Sequence, residues 1–350
     1  MSVNTKRIFY VKYLADPVFA DILARRPDVR LDKLENESHD EVAAPILTAA
    51  HVYQIGSARD EIARKFHVDA ALIARMPDAL VVSTNGVGYD TVDVKACTDA
   101  GILVVNQAGG NREAVAEHAL GMLITQSKRI AETNLAMRRA RLTDRVAYMG
   151  NDVHDKTIGI IGLGHVGSRL AQMCRGLFAM RVLAYDPYLT AQMCDQRGAE
   201  KVALDDLMRR SDYVSINCPL TAETRGMVGA AQIALMAPHA YLISTARGHI
   251  HDEAALAEAL RRKAIAGAGL DVWATEPPPS DHPLLQFDNV LVSPHTAGVT
   301  RETRFNMGKI AAEQILDALD GRPVARQVNP EVWPLYAQRF ADRFGFAPQP

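Results

Sequence analysis

The sequence predicts an α/β protein with parallel sheets. Apolar runs alternate with amphipathic stretches almost from end to end, which is typical of repeated β-α-β units. The chain has 350 residues, enough for two domains that each bury a core. The alternation stops once, in a polar stretch between residues 137 and 155, and then resumes. We therefore expect two α/β units in one chain.

The first hundred residues predict a compact unit of flavodoxin-like type. Strands are expected near residues 7–14, 29–34, 51–56, 79–84 and 102–106, with helices around 17–26, 39–50, 69–76 and 91–100. A longer helix is expected over 111–132, where Ala116, Leu120 and Leu123 recur at helical spacing.

The second series begins at Thr157. Its strands are expected near residues 157–161, 181–186, 213–217, 240–244, 266–271 and 289–293. A last helix, roughly 301–320, should end at Gly321 and Pro323. The tail beyond it is rich in aromatic residues, so we expect it to pack on the protein or on a partner subunit.

Composition and charge exclude several classes of protein. The formal net charge of −2 gives no sign of a nucleic-acid or membrane partner, and no apolar run approaches the roughly 20 residues of a membrane span. The first residues lack the apolar core and cleavage site of a signal peptide. The four cysteines are scattered without a C-x-x-C pair. We therefore expect a cytoplasmic protein with reduced thiols.

A glycine loop opens the second series. Gly162, Gly164 and Gly167 form G-x-G-x-x-G between a short β-branched strand and an amphipathic helix. In this context the glycines allow a tight turn, close approach to a pyrophosphate and helix–strand packing, and the helix N-terminus offers free N–H groups to the phosphates. Asp186, 19 residues beyond Gly167, ends the next strand, where a carboxylate accepts hydrogen bonds from ribose hydroxyls and repels a 2′-phosphate. The unit is thus predicted to be a Rossmann-like domain that prefers NAD to NADP.

Reactive side chains follow later strands of the same series. Arg247 lies just past one strand, Asp271 and Glu276 follow the next, and His295 follows the last. Ligands bind at the carboxyl ends of strands in such sheets, so we expect these groups to share one edge. His295 can give a proton to a carbonyl or take one back, and Glu276, bonded to its other ring nitrogen, would fix the tautomer and favour the protonated ring. The planar fork of Arg247 suits a substrate carboxylate.

Several motifs of the sequence resemble those of a known family. "GLGHVG", "YDP", "NCPLTAETRGMV", "STARG", "GLDVWATEPPP" and "SPHTAG" closely resemble the D-isomer-specific 2-hydroxyacid dehydrogenases, and the likeness extends over roughly residues 75 to 325. It implies an NAD-binding Rossmann domain, residues 107–298, inserted in a substrate-binding domain made of residues 1–106 and 299–350. It also implies an active site in the interdomain cleft and a homodimer built largely through the nucleotide-binding domain.

The resemblance further assigns individual residues. Arg247, Glu276 and His295 become the catalytic set, and the backbone N–H groups of Val87 and Gly88 bind the substrate carboxylate. The residues it assigns to the cofactor are Gly162, Gly164, His165, Val166, Gly167, Asp186, Cys218, Pro219, Thr245 and Asp271. Ser244 stands where the family often has Asn. The loop over residues 55–69 is longer than usual, so the resemblance does not assign the outer wall of the substrate pocket.

The predicted function is NAD-dependent interconversion of a small 2-oxo acid and its D-2-hydroxy acid. Formate dehydrogenases share this architecture but typically carry Gln in place of Glu276, so that alternative is disfavoured. An NAD-binding corepressor-like regulatory protein of the same fold stays open as an alternative, although no segment of the sequence indicates a partner for it.

Three further patterns carry weaker hypotheses. His249 and His251 have a spacing that can bind metal, but no third ligand is evident, so we expect no metal. Basic residues between 138 and 145 could reach a phosphorylated substrate across a dimer, or could form a solvated face. Arg59 could read the far end of the substrate, or could simply point at water.

Overall fold

The computed structural model describes residues 5–57, 59, 61–139 and 144–350. The chain forms two compact units. Unit 1 comprises Met1–Asn111 and Thr300–Pro350, and unit 2 comprises Arg112–Val299. Unit 1 is therefore made from both ends of the chain, with unit 2 inserted between them.

The strands and helices alternate along the chain. The strands are β1 Lys6–Val11, β2 Val29–Leu34, β3 Val52–Gly56, β4 Val81–Asn85, β5 Leu103–Val105, β6 Thr157–Ile161, β7 Arg181–Tyr185, β8 Glu200–Lys201, β9 Tyr213–Ile216, β10 Tyr241–Ser244, β11 Gly267–Leu270 and β12 Val290–Val292. The helices are α1 Val18–Leu23, α2 Asp40–Ala49, α3 Ala70–Ile73, α4 Val94–Asp99, α5 Arg112–Ser127, α6 Ile130–Arg139, α7 His165–Phe178, α8 Ala191–Gln196, α9 Leu204–Arg210, α10 Ala230–Ile233, α11 Glu253–Arg261, α12 Arg301–Leu319 and α13 Trp333–Phe344.

Unit 1 is a five-stranded parallel sheet with the order β2-β1-β3-β4-β5, the flavodoxin-like order. Every residue of β3 is buried because helices cover both faces of the sheet. One apolar cluster contains Phe9 and Tyr53, whose rings stack. The other packs the inward faces of α12 and α13 against the sheet, and it buries Tyr336 and Phe340 from the aromatic tail.

Unit 2 is a seven-stranded parallel sheet with the order β12-β11-β10-β9-β6-β7-β8. Counted from β6, this is the Rossmann order with one strand added beyond β11. The order reverses between β6 and β9, and the glycine loop follows β6 directly. Apolar clusters cover both faces of the sheet. The prediction of two parallel α/β sheets is confirmed.

The expected helix over 111–132 is divided in two. α5 ends at Ser127, and Arg129 adopts a left-handed backbone with φ of +53° before α6 begins. The Arg129 guanidinium donates to the Glu132 carboxylate and to the Ala147 carbonyl, which holds the break in place. The expectation of one continuous helix was therefore wrong.

Two properties predicted from composition can be compared with the fold. All four cysteines are free thiols. Within the part of the chain that is described, no helix is both long enough and apolar enough to cross a membrane.

Candidate active site

Six strands of unit 2 end on the same level. In the register of the sheet, Ile161 pairs with both Tyr185 and Ile216, the last residues of β7 and β9. Ser244 pairs with Ile216 and with Leu270, and Leu270 pairs with Val292. The residues that follow these six ends therefore lie along one carboxyl edge, where parallel sheets bind their ligands. They are Gly162, Asp186, Asn217, Thr245, Asp271 and Ser293.

The glycine loop has the geometry its sequence predicts. Gly162 has φ of +90°, and a Cβ there would lie 2.7 Å from the backbone nitrogen of Cys218. A Cβ at Gly167 would lie 2.1 Å from the Gly162 carbonyl oxygen, so the helix can approach the strand only because this position has no side chain. At Gly164 a Cβ would meet nothing within 4 Å. Packing leaves no room for a side chain at Gly162 or Gly167, whereas at Gly164 the backbone is open to a ligand.

The residues beside this loop fit a dinucleotide. Gly164 is the N-cap of α7 and supplies no capping side chain, so the first N–H groups of the helix, from His165 and Val166 onward, can face an anion. A cavity of about 680 Å³ opens there, and its lining includes His165, Ser168 and Arg169. Asp186 accepts hydrogen bonds from the backbone N–H groups of Leu163 (3.0 Å) and Tyr188 (3.1 Å). A carboxylate is thus held against the glycine loop, as an adenosine ribose requires.

The other residues assigned to the cofactor lie along the same edge. Cys218 and Pro219 follow β9, and burial raises the pKa of the Cys218 thiol to about 11. Thr245 follows β10 and is 8% exposed; among the described residues its hydroxyl has no hydrogen-bond partner. Asp271 follows β11 and is completely buried.

His295 and Glu276 form a hydrogen-bonded pair. Nδ1 of His295 lies 2.7 Å from Oε2 of Glu276, and the other carboxylate oxygen accepts the Trp273 backbone N–H at 3.0 Å. An ionised carboxylate only accepts, so Nδ1 carries the hydrogen and Nε2 is the nitrogen left to face a substrate. The histidine side chain is 37% exposed and the glutamate 29%. The pair is therefore oriented from behind and accessible in front.

The charge of Glu276 is stabilised by its neighbours. Burial opposes ionisation, but the hydrogen bond and positive charge of His295, the Trp273 N–H and the charge of Arg247 together outweigh it and lower the pKa of Glu276 below its ordinary value. Arg247, just beyond β10, thus acts electrostatically on the same carboxylate. Its Nη1 also donates to the Ala246 carbonyl at 2.7 Å. The structure therefore brings the three predicted catalytic side chains into one electrostatic environment.

The turn that carries His295 has a rare backbone conformation. His295 has φ of +55°, in the left-handed region that residues other than glycine adopt uncommonly. Its backbone N–H donates to the Asp271 carbonyl at 2.7 Å. The Asp271 carboxylate accepts from the N–H groups of Thr296 (2.8 Å) and Ala297 (2.9 Å). Trp273 donates from its indole to the Ser293 carbonyl at 3.1 Å, which ties the ends of β11 and β12 together.

Val87 and Gly88 belong to unit 1. They lie in the loop after β4, which begins at Gly86 with φ of +128°. Gln107 accepts the Gly86 N–H at 2.6 Å, and the Asn106 amide donates to the Val87 carbonyl at 2.9 Å. Side chains following β5 thus fix the loop, and Val87 is exposed at its tip.

The weaker hypotheses meet different outcomes. The Arg59 Nε donates to the Asp90 carbonyl at 2.7 Å, which ties Arg59 to the loop after β4. His251 is buried and, among the described residues, its ring nitrogens have no hydrogen-bond partner. Over the described ranges no group of three His, Cys, Asp or Glu side chains is arranged to hold a metal. Half of the basic stretch between 138 and 145, residues 140–143, lies outside the described residues.

No sequence motif assigns a role to two polar residues near this edge, His118 and Ser293. His118 on α5 contacts the Ser293 hydroxyl at 3.0 Å, and that hydroxyl donates to Asp271 at 2.6 Å. His118 stands within an apolar helical stretch and Ser293 lies 175 residues away in the chain, so no local pattern could have paired them.

Comparison with known proteins agrees with this geometry. The sequence model of the D-isomer specific 2-hydroxyacid dehydrogenase NAD binding domain matches residues 120–297. D-3-phosphoglycerate dehydrogenase from Archaeoglobus fulgidus is 40% identical over 262 residues, which cover 75% of this chain and 49% of that protein. Glyoxylate reductase from Korarchaeum cryptofilum is 38% identical over 270 residues, which cover 76% of this chain and 80% of that protein.

Solved structures show the same fold. The crystal structure of D-lactate dehydrogenase from Aquifex aeolicus, complexed with NAD and lactic acid, superimposes with a TM-score of 0.77 at 26% identity, covering 90% of this chain and 96% of that one.

Unit 2 is therefore an NAD-binding domain of Rossmann type. The chain belongs to the D-isomer specific 2-hydroxyacid dehydrogenase family. It spans about half the length of the phosphoglycerate dehydrogenases that it matches.

Proposed function

We propose that this protein is an NAD-dependent oxidoreductase that interconverts a small 2-oxo acid and its D-2-hydroxy acid. The observation that carries the proposal is the His295–Glu276 pair, 2.7 Å apart, on the sheet edge that also bears the glycine loop and Asp186. The family supports the reaction class, and the relatives named above as a phosphoglycerate dehydrogenase and a glyoxylate reductase support a 2-hydroxy or 2-oxo acid as substrate.

Each catalytic side chain has a proposed role. When bound, a nicotinamide cofactor would supply the hydride for the carbonyl carbon, or accept one from the alcohol. In reduction, Nε2 of His295 donates a proton to the developing alkoxide, while Glu276 holds the ring by Nδ1 and favours its charged form. In oxidation the same nitrogen accepts the alcohol proton. Arg247 orients the substrate carboxylate.

The remaining assignments are also proposals. The backbone N–H groups of Val87 and Gly88 bind the substrate carboxylate. His165 and Val166 meet the pyrophosphate at the start of α7, and Asp186 accepts the ribose hydroxyls, which favours NAD over NADP. Cys218 and Pro219 lie along the adenine side. The Thr245 carbonyl and the Asp271 side chain hold the nicotinamide amide; Asp271 accepts three hydrogen bonds and keeps one acceptor site.

A panel of 2-oxo acids tests the function. NADH oxidation is followed at 340 nm with glyoxylate, hydroxypyruvate, pyruvate and phosphohydroxypyruvate, each in parallel with NADPH. We expect turnover with at least one acid and a preference for NADH. Failure with every acid, when NADH binding is shown by fluorescence, would contradict the proposed reaction and favour a regulatory role for the same fold.

We also propose a cytoplasmic homodimer. α6, which is described in full, buries none of its side chains, and Ile130, Met137, Val146 and Met149 are exposed on and just after it. Exposed apolar side chains that fall this close together in the sequence favour a subunit contact. Sedimentation should give the mass of a dimer, and Met137→Glu with Met149→Glu should give a monomer. A monomeric parent protein would contradict the proposal.

A further inference from the structure

A hydrogen-bonded series of three side chains, His118, Ser293 and Asp271, runs from α5 to the turn that carries His295. Nε2 of His118 lies 3.0 Å from Oγ of Ser293, and Oγ lies 2.6 Å from Oδ1 of Asp271. The three residues come from α5, from the end of β12 and from the end of β11, so the series joins a helix to both strand ends at the site.

The direction of these hydrogen bonds follows from their chemistry. Both carboxylate oxygens of Asp271 already accept a backbone N–H group, Oδ1 from Thr296 and Oδ2 from Ala297, so the carboxylate acts as the acceptor towards Ser293. The single hydroxyl hydrogen of Ser293 therefore goes to Asp271. Towards His118 the same oxygen can only accept, so Nε2 of His118 carries a hydrogen and donates it.

The last member of this series, Asp271, contacts the turn itself. The Asp271 carboxylate receives hydrogen bonds from Ser293, Thr296 and Ala297, the residues two before, one after and two after His295. A left-handed backbone at a residue other than glycine is strained and persists only when its surroundings hold it. The Asp271 carboxylate holds this turn on both sides of the histidine.

We propose that His118 and Ser293 are positioning residues that act in series through Asp271 to hold the turn on which His295 is presented. This proposal rests on the proposed function, because it treats His295 as the group that meets the substrate. The His118 side chain is 28% exposed and that of Asp271 is completely buried, so the series begins near the surface and ends in the interior. Its N–H polarises the Ser293 hydroxyl, and the polarised hydroxyl binds the Asp271 carboxylate more strongly.

The first test is amide hydrogen exchange in the cofactor-free protein. Peptides covering residues 293–299 report the backbone N–H groups of His295, Thr296 and Ala297. We expect His118→Ala and Ser293→Ala to speed their exchange about tenfold, the effect of losing roughly one hydrogen bond. His118→Gln keeps an N–H donor and should restore most of the protection. His239→Ala is the matched control: His239 also contacts an aspartate, with Nε2 2.9 Å from Oδ1 of Asp212, but at the opposite edge of the sheet. It should leave these amides unchanged.

The second test is kinetic. His118→Ala and Ser293→Ala should each lower kcat about tenfold with little change in the KM for the oxo acid, because a misplaced proton donor affects the chemical step. The double variant should be no slower than either single one, since the two residues act in series. Rescue of kcat by His118→Gln is expected. Unchanged exchange in His118→Ala, equal losses in His239→Ala, or losses that multiply in the double variant would each overturn the proposal. If the parent enzyme turns over no oxo acid, the proposed function fails, while the exchange data still decide whether His118 and Ser293 hold the turn.

Discussion

Lowering the pH should destabilise unit 1 through one buried histidine, His51. The ring is 1% exposed at the start of β3. The backbone N–H of Arg7 lies 2.9 Å from Nδ1, and Nε of Arg343 on α13 lies 2.8 Å from Nε2. Both neighbours are donors, so a neutral ring can accept from only one of them and a protonated ring from neither. Burial, and secondly the charge of Arg343, lowers the pKa of His51 from 6.5 to about 4.

The sign and size of the effect follow from linkage. The unfolded chain takes up a proton near pH 6.5 and the folded protein only near pH 4, so stability is complete above pH 6.5 and falls as the pH falls. At 1.36 kcal/mol per pKa unit, this one group removes about 2 kcal/mol between pH 7 and pH 5 and about 3 kcal/mol by pH 4. The comparison at pH 5 is the cleaner one, because Asp28, with its pKa lowered to about 2 by Arg26, has not yet titrated there.

The assay can be confined to unit 1. The chain has two tryptophans, so Trp273→Phe leaves Trp333, at the start of α13, as the fluorescent reporter of urea unfolding. In this background the free energy of unfolding should fall between pH 7 and pH 5, and His51→Gln should reduce that fall by about 2 kcal/mol. The exposed histidine of the same unit, His39, gives the control: His39→Gln should behave as the parent. If His51→Gln loses as much stability as the parent over this range, the reasoning is refuted.

Three further predictions concern the candidate site. Glu276→Gln should shift the pH–rate profile of oxo-acid reduction to lower pH, because a neutral partner no longer favours the imidazolium; a superimposable profile would break the proposed pairing. Arg247→Lys should raise the KM for the oxo acid and lower kcat together, about tenfold or more in kcat/KM, since lysine lacks the planar fork; unchanged steady-state kinetics would remove Arg247 from the site. Asp186→Ser should lower the NADH-over-NADPH ratio of kcat/KM at least about tenfold by removing the repulsion of the 2′-phosphate, and a parent enzyme that already prefers NADPH would contradict the cofactor assignment.

The sequence predicted six of the seven strands of unit 2 because each of those six is a short apolar run with clear ends. It did not predict β8, whose two residues, Glu200 and Lys201, are charged and exposed. The run at 157–161, for example, coincides with β6, Thr157–Ile161. The glycine loop, Asp186, Glu276 and His295 could be found for a related reason. Polar residues placed directly after such runs fall on the carboxyl edge of a parallel sheet, whatever the order of its strands.

Other features depend on contacts that no local pattern records. The break between α5 and α6 occurs in a stretch without Gly or Pro, and it is held by Arg129 reaching Ala147, 18 residues further on. His118 lies on a helix whose sequence is mostly apolar, and only the fold brings it to Ser293. The left-handed backbone of His295 likewise depends on Asp271, 24 positions earlier in the chain and on another strand end.

The central claim is that Nε2 of His295 exchanges the proton with the substrate carbonyl. The measurement that tests it most directly is single-turnover NADH oxidation by His295→Gln with the best oxo acid, beside NADH binding by fluorescence. We predict a fall of roughly 10²–10⁴-fold in the rate of the chemical step, the usual contribution of a positioned acid, with the dissociation constant for NADH unchanged. Turnover within a few-fold of the parent, in a folded variant that binds NADH normally, would contradict the claim.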